Sequence, residues 1–264
     1  MKLHAVVGYG RLGRALVPAL RAAGEEVVIA RRADGEAALA DVVQRADWVW
    51  LTVPDDHIAA TAAGLPWRDG QLALHCSGAT PLAALAAAPA AAGFHPLKLL
   101  AGDAGLAGAH VGIEAAETHR PALQDLAHRL GLVPLALPSP MSAQARAAYH
   151  AAANLAASGV LAVLAEAGAL WRAAGLAAGD ALPALLPLTR GALDTAGARG
   201  LAGAVSGPVA RGDAGVLARH LDALQSAGLP DDLMRALARR QLALAEAAGR
   251  LDATQVAALR TLLA

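Results

Sequence analysis

Leu3-His4-Ala5-Val6-Val7-Gly8-Tyr9-Gly10-Arg11-Leu12-Gly13 opens the chain and decides how the rest is read. A short β-compatible run, Leu3–Val7, meets a glycine-rich turn, and Arg11–Ala23 continues with helical apolar spacing. Each glycine has its own task in a strand–turn–helix unit that grips a dinucleotide. Gly8 permits the tight turn, Gly10 lets backbone approach a pyrophosphate, and Gly13 lets the helix pack on the strand. The helix N-terminus offers free N–H groups and a positive dipole end to the phosphates. Gly8, Tyr9, Gly10, Arg11, Leu12 and Gly13 thus form the candidate cradle, with a ligand-free glycine turn as the bland alternative.

About 20 residues past such a turn, an NAD site places Asp or Glu against the ribose. This chain has Arg31-Arg32 after Val27–Ala30. Guanidinium attracts a 2′-phosphate that a carboxylate would repel, so NADP(H) is expected over NAD(H), although Asp34 stands nearby. The next strand ends in Thr52-Val53-Pro54-Asp55, at the sheet edge where ligands bind in this architecture. Val53 and Pro54 are expected to line the cofactor, and Asp55 reads as a helix cap within the same loop. Ser77 and Gly78, closing the following strand, would offer a hydroxyl and a backbone N–H to substrate or nicotinamide. Gly93–Leu97 reads as a turn carrying His95. Zinc was weighed for His75, Cys76 and His95, but their spacing fits no common zinc site, and no metal is expected.

Leu3–Val7, Glu26–Ala30, Trp48–Val53, Leu72–His75 and His110–Glu114 read as strands, with helical stretches between several of them. That alternation predicts a doubly wound parallel sheet over residues 1–138, with Pro134, Pro138 and Pro140 as a linker. Residues 139–264 read as all-helical, over Ser142–Ala174, Ala181–Thr195, Gly212–Ala227, Asp231–Gly249 and Asp252–Leu263. Ser139 or Ser142, Asp213, Asp231 and Asp252 are the candidate N-caps.

The 264 residues fit one large or two modest domains at about 150 residues each. Lys+Arg and Asp+Glu are both 22, a balance that argues against nucleic acid or an anionic membrane as partner. A 56% hydrophobic content with 17% charge excludes disorder. The weakly polar stretch Ala151–Ala165 falls short of the roughly 20 residues needed to span hydrocarbon, and no secretory signal is read, so a cytoplasmic protein is expected. One cysteine forms no internal disulfide. The Ala/Leu-rich helices carry enough apolar surface to predict a homodimer.

His150, Asn154 and Ser158 recur every four residues and so share one face of a helix. Such a stripe is either a hydrogen-bonded core feature or the lining of a cleft between the domains, with His150 as proton donor. Pro187-Leu188-Thr189-Arg190-Gly191 and Ser206–Asp213 are the other unusual segments. Arg211 would hold an anion or pair with Asp213 to fix its turn.

Gly8–Gly13, Thr52–Asp55, His75–Gly78, Gly93–Leu97, Tyr149-His150, Pro187–Gly191 and Ser206–Asp213 with His220-Leu221 resemble, in that order, a bacterial oxidoreductase family. It pairs a Rossmann-like domain with a C-terminal helical domain of undefined function. It lies in the grouping of 6-phosphogluconate dehydrogenase, 3-hydroxyisobutyrate dehydrogenase and ketopantoate reductase. The resemblance spans nearly the whole chain, and Gly207–Asp213 is its most specific part. It implies hydride transfer between NADP(H) and a small carbonyl or hydroxy compound, such as the keto acid ketopantoate. His150 and Asn154 stand where the broader grouping has a catalytic lysine and asparagine. Catalytic roles are thus expected for His150, Asn154, Ser158 and Ser77, and substrate contacts for His95, Arg190 and Arg211. The alternatives are a sensor or scaffold that binds NADP(H) without chemistry and, further off, a deazaflavin–NADP hydride exchanger.

Overall fold

Short runs such as Leu-His-Ala-Val-Val and Trp-Val-Trp-Leu are nearly continuously buried, as expected of strands covered on both faces. A computed structural model describes residues 2–31, 34–101 and 105–264. The chain divides into two compact units, Met1–Ala157 and Ser158–Ala264. The first therefore runs beyond residue 138 and takes in the helix that carries His150.

Seven strands form the first unit's sheet: β1 (Leu3–Val7), β2 (Glu26–Ala30), β3 (Trp48–Leu51), β4 (Leu72–His75), β5 (Ala91–Pro96), β6 (His110–Ala115) and β7 (Val133–Ala136). Their order is β2-β1-β3-β4-β5-β6-β7. Helices α1 (Arg11–Ala22), α2 (Glu36–Arg45), α3 (Ile58–Ala63), α4 (Arg120–Arg129) and α5 (Ala143–Asn154) complete the unit. Strands β1 to β5 are mutually parallel, but β6 is antiparallel to β5, and β7 parallel to β6. The doubly wound parallel sheet expected from the sequence is present, with one antiparallel pairing, between β5 and β6. Among the described residues no helix joins β5 to β6, and parallel pairing needs a crossover that this connection does not supply. Gly93–Pro96 belongs to β5 rather than to a turn, and Pro134 lies in β7 rather than in a linker.

One face of the sheet packs Val6, Trp50, Leu74, Phe94 and Ile113 against Leu16 and Leu20 of α1 and Leu123 of α4. The other packs Ala5, Val49 and Ala73 against Val43 of α2 and Ile58 of α3. Trp50 meets Phe94 edge-on at 5.3 Å, and its Nε1 donates to Nδ1 of the buried His4 at 2.8 Å.

That hydrogen bond requires an unprotonated Nδ1, and burial lowers the His4 pKa to about 4 despite Glu25 3.4 Å from Nε2. The unfolded chain takes up the proton near the ordinary value of about 6.5, so it binds more protons than the native state between those limits. The stability due to His4 is complete above pH 6.5 and disappears as the pH falls towards 4, by at most about 3 kcal/mol. Urea unfolding between pH 7 and 4 should fall more steeply for the native chain than for His4→Gln; equal slopes would refute this.

The second unit holds α6 (Val160–Ala173), α7 (Ala178–Ala204), α8 (Ala214–Ser226), α9 (Asp232–Ala247) and α10 (Ala253–Leu262) around Leu217, Leu242, Leu259 and Leu263. Asp213 caps α8, accepting from the Val216 N–H, and Asp252 forms a capping box with Gln255. Asp231 makes no cap hydrogen bond and instead pairs with Arg235 at 2.9 Å. Ser142 caps α5. A π-turn over Leu155–Gly159 follows α5, so the uniform four-residue spacing expected from His150 to Ser158 is broken after Asn154. Ala143–Ala173 is helical throughout. By length and composition alone it is apolar enough to cross a membrane, and little of it is buried, which corrects the shorter span read from sequence.

Candidate active site

The strand order reverses between β1 and β3, and ligands bind beyond the carboxyl ends of strands at such a switch point. Gly8 follows β1 with φ of +95°, a conformation that disfavours any side chain. A Cβ on Gly13 would stand 2.7 Å from the Gly8 carbonyl oxygen, while one on Gly10 would meet nothing within 4 Å. Gly13 therefore serves strand–helix packing, and Gly10 leaves its side of the turn open. Thr52 hydrogen-bonds the Gly8 carbonyl and ties the end of β3 to the turn. Gly10 caps α1 without a side-chain acceptor, so the helix's leading N–H groups are free for a ligand.

A cleft of about 880 Å³ adjoins this turn, lined by Gly8, Glu36, Leu39, Val53, Pro54 and His57 among others. Arg31 is exposed, its guanidinium over the Tyr9 ring at 5.1 Å, so it stands at the turn. Its backbone N–H donates to Asp34 at 3.0 Å, which gives that carboxylate a partner. Arg32 lies outside the described residues. Arg11 is exposed at the start of α1, and Tyr9 and Leu12 pack partly against the core. Turn glycines, free N–H groups and a roomy cleft together suit a dinucleotide.

Asp55 begins a one-turn 3₁₀ helix capped by Pro54, so it is not the expected N-cap. Its carboxylate accepts from the Ser77 hydroxyl at 2.7 Å, joining the loops after β3 and β4. Ser77 Oγ also accepts from the N–H groups of Ala79 and Thr80. It braces its loop.

Beyond it the sheet carries polar groups in register across three strands. His75 of β4 pairs in register with Gly93 of β5, which pairs with Glu114 of β6. A Cβ at Gly93 would lie in ordinary contact with the His75 ring and the Glu114 Cβ, each at 3.5 Å. His95 and Gly112 pair in the row above. Helix α5 covers these rows with Arg146 and Tyr149, three residues apart on its inward face. Arg146 donates to Glu114, whose other oxygen accepts from the Met141 N–H at 2.8 Å. Both partners are buried, as is His75, whose two ring nitrogens have no partner among the described residues. Burial and the neighbouring Arg146 lower the His75 pKa to about 4. Tyr149 meets His95 Nδ1 at 2.9 Å.

Helix α5 also presents His150 and Asn154 to a cleft of about 780 Å³, lined by Ala79, Pro81, Met141, Arg146 and Leu155 as well. Both are exposed and neither is hydrogen-bonded among the described residues, so this is no core stripe. Ser158 belongs to the second unit. So do Arg190, within α7, and Arg211, in a short 3₁₀ turn; both are exposed. No Arg211–Asp213 pair forms, since the Asp213 carboxylate caps α8. The buried Cys76 has its thiol pushed up to about 12, and among the described residues no three His, Cys, Asp or Glu converge on a metal.

The sequence reading brought together Gly8, Gly13, Val53, Pro54, Ser77, Gly78, His150 and Asn154 at the sheet edge or on α5, but gave no role to Glu114, Arg146 or Tyr149. A lone carboxylate in the apolar strand His-Val-Gly-Ile-Glu-Ala was the available signal, because a buried carboxylate demands a cation.

A family model described as "Domain of unknown function (DUF2520)" matches residues 109–247. No curated protein matches. Among solved structures, a Thermotoga maritima protein aligns with TM-score 0.74 and 23% identity over 94% of this chain and 100% of its own. A reductive aminase from Aspergillus terreus, in complex with NADPH and ethyl levulinate, gives 0.62 and 15% over 99% of each chain. An imine reductase from a Pseudomonas species gives 0.61 and 17% over 100% of this chain and 99% of its own. At these identities the likeness establishes the fold: a Rossmann-like α/β architecture followed by a helical C-terminal region.

Proposed function

We propose, from the premise that the chain belongs to the DUF2520 family, that it is an NADP(H)-dependent oxidoreductase acting on a small carbonyl or hydroxy compound, such as the keto acid ketopantoate. The observation that carries the proposal is the Gly8–Gly13 turn, open at Gly10 and with Gly8 on the wall of a cleft of about 880 Å³. The N–H groups opening α1 would hold the pyrophosphate, Val53 and Pro54 would flank the cofactor, and Arg31 would meet the 2′-phosphate. When bound, NADPH supplies the hydride. His150 and Asn154 would hydrogen-bond the substrate oxygen, with Gly78 offering a backbone N–H at the neighbouring strand end. The names of the Aspergillus and Pseudomonas neighbours support a reductase. A sensor that performs no chemistry would have no need of a polar lining such as His150 and Asn154 give their cleft.

Thermal shift with NADPH and NADH, joined to NADPH consumption with ketopantoate, tests this reading. NADPH at 100 times its Kd should add about 2.7 kcal/mol of stability. Arg31→Ala should weaken NADPH binding about tenfold or more and leave NADH binding unchanged, the loss expected for one charge-assisted contact. A larger shift with NADH would reverse the cofactor assignment, and none with either would refute nucleotide binding.

We further propose that the chain forms a homodimer. Leu161, Leu182, Leu188, Leu193 and Leu201 are exposed on α6 and α7, more apolar surface than a lone monomer usually shows. Sedimentation at micromolar concentration should give a dimer that Leu161→Glu with Leu188→Glu dissociates. A native monomer would contradict it.

A further inference from the structure

His95 and Tyr149 form a pair for which the sheet has been cut away twice. A Cβ on Gly78 would lie 2.6 Å from the His95 ring, and one on Gly112 would collide with the Tyr149 hydroxyl. The rings meet edge to face, with centroids 5.6 Å apart, and His95 Nδ1 stands 2.9 Å from Tyr149 Oη. Both residues are only partly buried. Tyr149 directly precedes His150, and His95 lies one strand from the Ser77–Gly78 loop, at the sheet edge where the cofactor would present its reactive end. Behind the pair, His75, Glu114 and Arg146 line a cavity of about 10 Å³ with it. Buried nitrogens of His75 and Arg146 have no partner there. The space suits a single water molecule with several polar partners.

We infer that Tyr149 is the acid that protonates the reduced oxygen and that His95 is the positioning residue that recharges it, the role that sequence spacing gives to His150. The inference rests on the reductase reading. His95 Nδ1–H donates to Tyr149 Oη, which leaves the phenolic proton free for the substrate. As hydride reaches the carbonyl carbon, the C=O π pair moves onto oxygen, and that oxygen takes the Tyr149 proton. Tyr149 Oη then takes the Nδ1 proton of His95, while water delivers one to Nε2. Cofactor is oxidised, carbonyl becomes alcohol, and one proton is drawn from solvent. Burial keeps both partners neutral: the Tyr149 pKa lies above its usual value and the His95 pKa below, the latter lowered further by His150 and opposed by Asp55. The other charged or titratable groups around the pair are His75, Glu114 and Arg146. His150 is exposed, and among the described residues no hydrogen bond fixes its tautomer.

NADPH consumption with ketopantoate, pyruvate and cyclohexanone as probes, from pH 5 to 10 and in H₂O and D₂O, decides the matter. Tyr149→Phe should lower kcat by about 10²–10⁴-fold, leave NADPH affinity by fluorescence unchanged, and abolish the solvent isotope effect. His95→Gln should keep a reduced rate with a displaced pH profile, which a merely structural contact would not produce. His150→Ala should raise KM and keep kcat within about tenfold, short of the range for a lost general acid. A Tyr149→Phe enzyme with native kcat, or a 10²-fold or greater loss in His150→Ala alone, overturns the inference and leaves the reductase reading standing. A native protein that binds NADPH yet reduces none of the probes overturns both.

Discussion

Glu114→Ala is expected to cost about 3–5 kcal/mol, and Arg146→Ala about the same, because each strands its partner as an uncompensated buried charge. Glu114 is 1% exposed near the end of β6 and Arg146 6% exposed on α5, and the cavity of about 10 Å³ beside them holds at most one water, too little to replace the missing partner. In a chain of this size the loss should lower the transition of the first unit by about 10 °C or more. Glu114→Leu combined with Arg146→Met should recover much of it, since two apolar groups need no compensation. Calorimetry of the two singles and of this double variant checks both expectations. Single losses below about 1 kcal/mol would mean that the pair is hydrated, contrary to its burial.

The second large effect belongs to the turn. Gly13→Val would drive a side chain onto the Gly8 carbonyl, a backbone atom held by Thr52, and overpacking of that kind costs about 1–3 kcal/mol. NADPH binding should be lost with it, because Gly8 can yield only by deforming the cradle. Gly10→Ala is the control. With nothing within 4 Å of the new methyl, its melting temperature should match the native value, while NADPH affinity falls because the space it fills is the ligand's. Native NADPH affinity in Gly10→Ala would show that no phosphate approaches there.

The parts legible in the sequence were those with a local cause. Gly8–Gly13 announced the strand–turn–helix unit, and Ser142, Asp213 and Asp252 announced helix starts that their side chains cap. Strands β5 and β7 were hidden by composition. Ala-Ala-Gly-Phe-His-Pro and Val-Pro-Leu-Ala are poor β-formers, made strands by the neighbours they lie beside. The π-turn after Asn154 falls among Leu-Ala-Ala-Ser-Gly, where no residue marks an extra backbone step. In the candidate site, His150 and Asn154 were legible because polar residues stand out in an alanine helix. Arg146 and Glu114 were each visible, but their partnership spans 32 residues and joins a helix to a strand far from it in the chain. Long-range pairing of that kind leaves no local trace.

Pro134 has a consequence beyond the ladder it joins. The N–H groups of Val133 and Leu137 are spent on carbonyls of the β6 side, so the amide position of Pro134 faces outward along the last strand of the sheet, where proline has no hydrogen to give. A foreign strand laid along that margin would find a gap in its hydrogen-bond template. Val133 and Leu135, exposed and sticky as they are, thus sit on a border poorly suited to fibril growth.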